Sequence, residues 1–113
     1  MNVICTKNAP AAVGPYSQAI DCGDFVFLSG QIPLVPETSL VADSGLEAQA
    51  HQMFANIKAV VKTTVFMPDL SQFAAFNAIY AEYFQAHYPA RSCVEVSALP
   101  KGVLVECELI AKR

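Results

Sequence analysis

The stretch RSCVEVSALPKGVLVECELIA, residues 91–111, holds two strand-like runs around a turn. Val103, Val105, Cys107, Leu109 and Ala111 alternate with Leu104, Glu106, Glu108 and Ile110. That period of two marks a strand with one face toward a core. Residues 91–97 read as a second strand. The short connection Ala98-Leu99-Pro100-Lys101-Gly102 predicts that the two pair as an antiparallel hairpin.

Working back from that stretch, residues 70–86 read as a helix. Asp69 is its expected N-cap and Gln72 stands at its third position. Leu70, Phe73, Ala74, Tyr80, Ala81 and Phe84 form its apolar face, and Asn77 falls within that face. The β-branched run Lys62-Thr63-Thr64-Val65-Phe66-Met67 reads as a strand. Residues 46–60 read as another helix, with Leu46, Ala50, Met53, Phe54, Ile57 and Val61 at helical spacing and Ser44 as N-cap. Residues 32–45, with Pro33, Pro36 and Gly45, read as a loop. Residues 16–22 and 25–29 read as strands joined by Cys22-Gly23-Asp24. The unbroken run Phe25-Val26-Phe27-Leu28 predicts a strand covered on both faces. The order is therefore ββ-α-β-α-ββ, an α+β fold in which two helices pack on one face of a mixed β-sheet.

The 113 residues amount to one domain, 1–113. Hydrophobic residues make up 54% of them and charged residues 15%. So much apolar surface on a small chain predicts burial between subunits, hence a homo-oligomer. Seven Lys and Arg against ten Asp and Glu give a net charge of −3, without a basic run. Binding to nucleic acid through phosphate neutralisation thus has little support in this composition. No apolar run approaches the roughly 18 residues of a membrane span. Met1–Lys7 lacks a charged-then-apolar signal pattern, so a cytoplasmic location is expected. Cys5, Cys22, Cys93 and Cys107 form no CxxC and no zinc spacing with His51 or His87. Cys5, Cys22 and Cys107 are expected as small buried hydrophobes, and disulfides are not expected.

The predicted hairpin would bring Arg91 and Cys93 beside residues 105–108. An Arg and a Glu at such a place can be an ordinary salt bridge, worth about 0–1 kcal/mol when exposed. They can also be a substrate grip: the arginine fork suits a carboxylate, and Glu106 suits proton transfer or activation of water. Partial desolvation beside Leu104 would raise the Glu106 pKa. Asn77 can satisfy its amide on neighbouring backbone or serve a site.

GPYSQA at 14–19, SGQIP at 29–33, RSCVEV at 91–96 and LPKGVLVECELIA at 99–111 resemble the signature of the RidA/YjgF reactive-intermediate deaminase family. Residues 65–83, with Asn77, fit the same pattern. The resemblance covers nearly the whole chain in the right order. It implies a chorismate-mutase-like fold that assembles as a homotrimer around a central barrel, with sites in clefts between subunits. By position, it implies that Arg91 binds a substrate carboxylate and that Glu106 acts on the catalytic water and on proton transfer. Tyr16, Ser29, Gly30, Asn77 and Cys93 would line the pocket, Gly30 and Cys93 through backbone groups. The implied reaction is hydrolysis of 2-aminoacrylate or 2-iminobutanoate to a 2-oxo acid and ammonia. That protects pyridoxal-phosphate enzymes and calls for no cofactor and no metal.

The chain departs from the family pattern between the first helix and the next strand. The family has a Gly-bearing loop there, whereas Ile57-Lys58-Ala59-Val60-Val61 runs straight into Lys62-Thr63-Thr64. Either the helix stops near Lys58 or a loop is lost from this sequence. Two other functions compete with the deaminase. One is a non-catalytic, chaperone-like or regulatory protein that binds small carboxylates through Arg91 and tolerates loss of Glu106. The other is an endoribonuclease-type relative, against which the acidic balance argues.

Overall fold

Asn2–Ile4 (β1), Ala19–Asp21 (β2), Phe25–Gln31 (β3), Val60–Met67 (β4), Ala90–Glu95 (β5) and Glu106–Lys112 (β6) form one sheet in the order β1-β2-β3-β6-β4-β5. The computed structural model describes residues 1–42, 45–55, 60–85 and 87–113. Helices α1 (Leu46–Ala55) and α2 (Phe73–Tyr83) cover one face of the sheet. The α+β class with two helices on a mixed sheet is therefore as the sequence predicts.

The hairpin is not. β6 pairs antiparallel with β3 on one side and β4 on the other, whereas β5 pairs parallel with β4. β4 thus lies between the two strands expected to be neighbours. The reason is visible in their burial. Cys107, Leu109 and Ala111 of β6 are buried, which suits a strand with partners on both sides. β5 is mostly exposed, which suits an edge. A parallel pair needs a long crossover, and α2 between β4 and β5 supplies it. The connection from β5 to β6 is also wider than a hairpin turn. Pro100–Gly102 forms a 3-10 turn in which Lys101 (φ 57°) and Gly102 (φ 64°) are left-handed.

Other boundaries shift. β1 is an added strand, paired to β2. β2 is confined to Ala19–Asp21, while β3 extends to Gln31. The second helix begins with a 3-10 turn at Leu70–Gln72 and ends at Tyr83. Asp69 caps it as expected, its side chain accepting from the Ser71 N–H at 2.9 Å. The expected N-cap Ser44, and the helix end or lost loop around Lys58, lie outside the described residues. Val60 and Val61 are already in β4, not at the end of a helix, and Val61 is exposed there.

The core sits between the helices and the sheet. Met53 and Phe54 of α1 and Phe76, Ile79 and Tyr80 of α2 pack on Val65, Met67, Cys107 and Leu109. Phe54 is the hub, with the rings of Phe76, Tyr80, Tyr83 and Phe84 all within 5.7 Å. Deleting its ring would cost about 3–5 kcal/mol. Buried Gln49 is satisfied by accepting the Leu104 N–H at 2.9 Å. The opposite face of the sheet is open in a single chain. Phe25 and Phe27 are 44% and 47% exposed there, so β3 is not covered on both faces as its apolar run predicts. Cys107 is buried as expected, but Cys5 and Cys22 are exposed, because one follows the edge strand and the other sits in a turn. No helix among the described residues is long and apolar enough to cross a membrane.

Candidate functional site

Strand register decides which way each candidate residue faces. Arg91 lies opposite Thr63, and Cys93 opposite Val65. Thr63 and Val65 are fully buried beneath the helices, so Arg91 and Cys93 belong to the helix side. Glu106 lies opposite Phe66, and Glu108 opposite Thr64, on the open side. Arg91 and Glu106 therefore stand on opposite faces with β4 between them. Two strand spacings across and three residues along place their Cα atoms about 14 Å apart. The predicted close Arg–Glu pair within one hairpin does not form, for the same reason that the hairpin does not.

Arg91 is fixed by α2. Its Nη1 donates to Asn77 Oδ1 at 2.7 Å. Its guanidinium carbon lies 4.6 Å from the centre of the Tyr80 ring and 5.3 Å from that of Phe73. Phe73, Asn77 and Tyr80 recur at four and three residues, one stripe of a helix. Asn77 thus bonds a side chain, not neighbouring backbone. Arg91, Asn77 and Tyr80, with Ala81, Tyr88 and Pro89, line an open hollow of about 440 Å³. Cys93 is half-buried beside this group. Burial pushes its thiol pKa up against the opposing pull of Arg91, so the thiol stays protonated at neutral pH and is a poor nucleophile.

The other candidates gather near the far side of the sheet. Between Leu28 and Gln31 the β3–β6 register shifts, and Gly30 sits in this irregularity against Glu106. A Cβ on Gly30 would overlap Glu106 Oε1, so the carboxylate occupies the space that glycine leaves. Burial, and to a smaller degree the neighbouring Glu108, raises the Glu106 pKa. The direction is the one predicted, but Leu104 is not its companion on the strand. β6 begins at Glu106, and Leu104 packs against the core. Ser29 Oγ donates to the Ser17 carbonyl at 2.6 Å, and the Tyr16 hydroxyl accepts the Val13 N–H at 3.2 Å. Tyr16 and Gly30 share a small cavity with Pro10 and Gln18.

The candidates therefore form two groups in one chain. Arg91, Asn77 and Cys93 gather on the helix side, with a cation at their centre. Tyr16, Ser29, Gly30 and Glu106 gather near the other side, with a carboxylate among them. Among the described residues, no cluster of three His, Cys, Asp or Glu side chains could hold a metal ion. Two functional-looking side chains escaped the sequence reading. Tyr80 was visible only as part of an apolar face, although its spacing from Asn77 put both on one side of the helix. Gln18, within GPYSQA, clamps the N-terminal segment. Its Oε1 accepts the Thr6 N–H at 2.7 Å, and its Nε2 donates to the carbonyls of Thr6 and Pro10 at 3.1 and 2.7 Å.

The family model described as Endoribonuclease L-PSP matches residues 6–113. The chain belongs to this family. It is 50% identical to the 2-iminobutanoate/2-iminopropanoate deaminase of Salmonella typhimurium, over 97% of this chain and 96% of that protein. The YjgF gene product of Escherichia coli superposes with a TM-score of 0.94 at 46% identity, covering 100% of this chain and 99% of that one. TdcF of Escherichia coli, solved with bound serine, gives 0.94 at 42% identity, with the same coverage. The alignment with the Salmonella relative runs over 124 positions, while this chain has 113 residues. By difference, that relative carries at least 11 residues between its aligned ends that this chain lacks.

Proposed function

We propose that the chain hydrolyses 2-imino acids, formed from 2-aminoacrylate or as 2-iminobutanoate, to 2-oxo acids and ammonia. The work lies in the cytoplasm, where it protects pyridoxal-phosphate enzymes from such intermediates. The observation that carries this reading is the pair of complementary groups at Arg91 and Glu106, in a chain half-identical to a protein named for this reaction. Bound serine in a family structure supports a ligand of amino-acid size with a carboxylate.

The chemistry follows from the groups. Arg91 grips the substrate carboxylate through parallel N–H bonds. Its single bond to Asn77 leaves four of its five N–H donors available. Glu106 takes a proton from water as the water oxygen bonds to C2. That proton passes to the nitrogen and leaves a hydroxyl and an amine on C2. Glu106 then carries the hydroxyl proton to the amine, the C–N bond breaks, and ammonia leaves as the carbonyl forms. One water is consumed and no electrons are exchanged. An imine already reacts with water, so holding the reactants in line supplies most of the acceleration. The backbone at Gly30 and Cys93, with Tyr16 and Ser29, shapes the pocket.

Because Arg91 and Glu106 of one chain face opposite ways, the site we propose is shared between copies. One protomer offers its Arg91 group and its neighbour offers the Glu106 group. Three copies with their open sheet faces around a central barrel would bury Phe25, Phe27 and Val94, which are 44%, 47% and 43% exposed in the single chain. A ribonuclease is a second reading, favoured by the description of the family model. A net charge of −3 gives it little phosphate-binding surface.

The test is 2-iminobutanoate turnover in a coupled threonine dehydratase assay, with the sedimentation of the purified protein measured alongside. Faster 2-oxobutanoate release with wild type, and only the uncatalysed rate with Arg91→Ala, is expected from a trimer. Wild-type turnover by Arg91→Ala, or a fully active monomer, would sink the proposal.

A further inference from the structure

We propose that Tyr80 is a positioning residue for Arg91, its ring being the surface on which the guanidinium lies, with Thr63 fixing that ring. This rests on the reading of Arg91 as the carboxylate grip. An arginine on an edge strand has about 2 kcal/mol of rotamer entropy to lose before it can present a fork. The Asn77 bond holds one nitrogen but leaves the guanidinium plane free to turn about it. Lying over a ring at 4.6 Å sets the plane as well. One edge of the fork then meets Asn77, and the other faces outward for a carboxylate. Among the described residues Arg91 has no acidic partner of its own, the ion pair present being that of Arg113 with Asp21.

Tyr80 is built to stay still. It is 4% exposed, and the rings of Phe54, Phe76 and Phe84 pack around it. Its hydroxyl bonds the fully buried Thr63 Oγ1 at 2.9 Å, and Thr63 stands directly opposite Arg91 in the sheet. A phenylalanine would fill the same core space. The hydroxyl adds a link from the ring back to the strand pair that carries Arg91, so ring and guanidinium are set by one frame. Burial raises the tyrosine pKa, which keeps that hydroxyl protonated and able to make the bond.

The experiment combines kinetics with NMR of the full-length protein. In wild type, the Arg91 Hδ and Nε–H resonances should be displaced by the ring current of Tyr80. Resonances at random-coil positions would overturn the proposal, whatever the variants do. Tyr80→Leu should raise KM for 2-iminobutanoate about tenfold, the scale of a desolvated cation–π contact, with kcat changed by less than about threefold. Tyr80→Phe keeps the ring and loses the Thr63 bond, so it should restore the Arg91 shift and only part of KM; KM restored in full would overturn the role given to Thr63. A folded Tyr80→Leu with KM unchanged, or with kcat lost at constant KM, would overturn the proposal. If Tyr80→Leu does not fold, the wild-type shift and its persistence in Tyr80→Phe decide. Full activity in Arg91→Ala would overturn the deaminase reading instead, while the Arg91 shift still tests the stacking by itself.

Discussion

Glu106 and Gly30 are fitted so closely across the β3–β6 pair that the carboxylate fills the place where a β-carbon would stand on residue 30. The requirement for glycine here is one of space, since Gly30 is not among the glycines with positive φ. Gly30→Ala must push Glu106 aside. The obstructing atoms are the end of a flexible side chain, so the fold can yield at a cost of about 1–3 kcal/mol. A carboxylate displaced by an ångström is far more damaging to a positioned proton transfer, by about a hundredfold. Activity and thermal unfolding measured on the same preparation should show kcat/KM falling by that order while the protein remains folded.

Glu106 should weaken the folded state when it is charged. Its folded pKa lies above the ordinary glutamate value, because burial disfavours the anion. The folded protein therefore holds this proton more tightly than the unfolded chain does. The resulting stabilisation is complete below the unfolded value of 4.5 and is lost as pH rises through the folded value. Glu106→Gln cannot ionise. Its melting temperature should exceed that of wild type at pH 7, and the gap should close below pH 4.5. In the same variant, imine hydrolysis should fall at least about a hundredfold, at the lower end of general-base contributions. A more stable Glu106→Gln that kept wild-type turnover would remove Glu106 from the proton transfer.

Arg91→Lys keeps the charge and loses the fork. A lysine ammonium cannot meet Asn77 and a carboxylate edge with one planar group, nor stack flat on Tyr80. Losing one arm of a bidentate pair, a charge-assisted bond worth about 1.5–3 kcal/mol, predicts kcat/KM down by about ten- to a hundredfold. The loss should fall mainly on KM. Steady-state kinetics with 2-iminobutanoate check it, and a KM within twofold of wild type would show that charge alone suffices.

Much of this arrangement could be read from the chain, and the unread part has a common cause. The alternation of burial through residues 103–111, the Asp69 cap and Leu46, Ala50, Met53 and Phe54 of the first helix depend on neighbours within a few positions, and the structure keeps them. The face predicted for the second helix is turned: Phe76 and Ile79, left out of it, are buried with Tyr80, while Leu70 and Ala74 are exposed. Which strands pair is not a local property. The turn at Pro100–Gly102 looked like a hairpin, yet β6 takes its partners from residues 25–31 and 60–66, because its buried face needs cover from both sides. With the hairpin went the Arg91–Glu106 contact. The site residues themselves came from family motifs, which name positions but not the faces they occupy. Asn77 shows the remaining gap. Its place in an apolar helix face raised the question of a partner, and only the parallel packing of β5 on β4 brought Arg91 to it.

Gln18 should hold the N-terminal segment in the register the pocket needs. It carries three well-placed hydrogen bonds to Thr6 and Pro10, and its own backbone carbonyl accepts the Ser29 N–H at 3.1 Å. Gln18 thus ties residues 6–10 to the start of β2 through its side chain, and to the strand that leads into Gly30 through its backbone. The contacts are partly exposed, so each contributes about 0.5–1 kcal/mol net. Gln18→Ala should lower stability by about 1–3 kcal/mol in denaturant unfolding. The amide of Thr6, which donates to the lost Oε1, should gain hydrogen exchange first. Since Tyr16 and Gly30 share a cavity with Pro10, a loosened segment should also raise KM several-fold before it changes kcat. Equal protection of Thr6 in the variant and wild type would show that the clamp is incidental to how this segment is held.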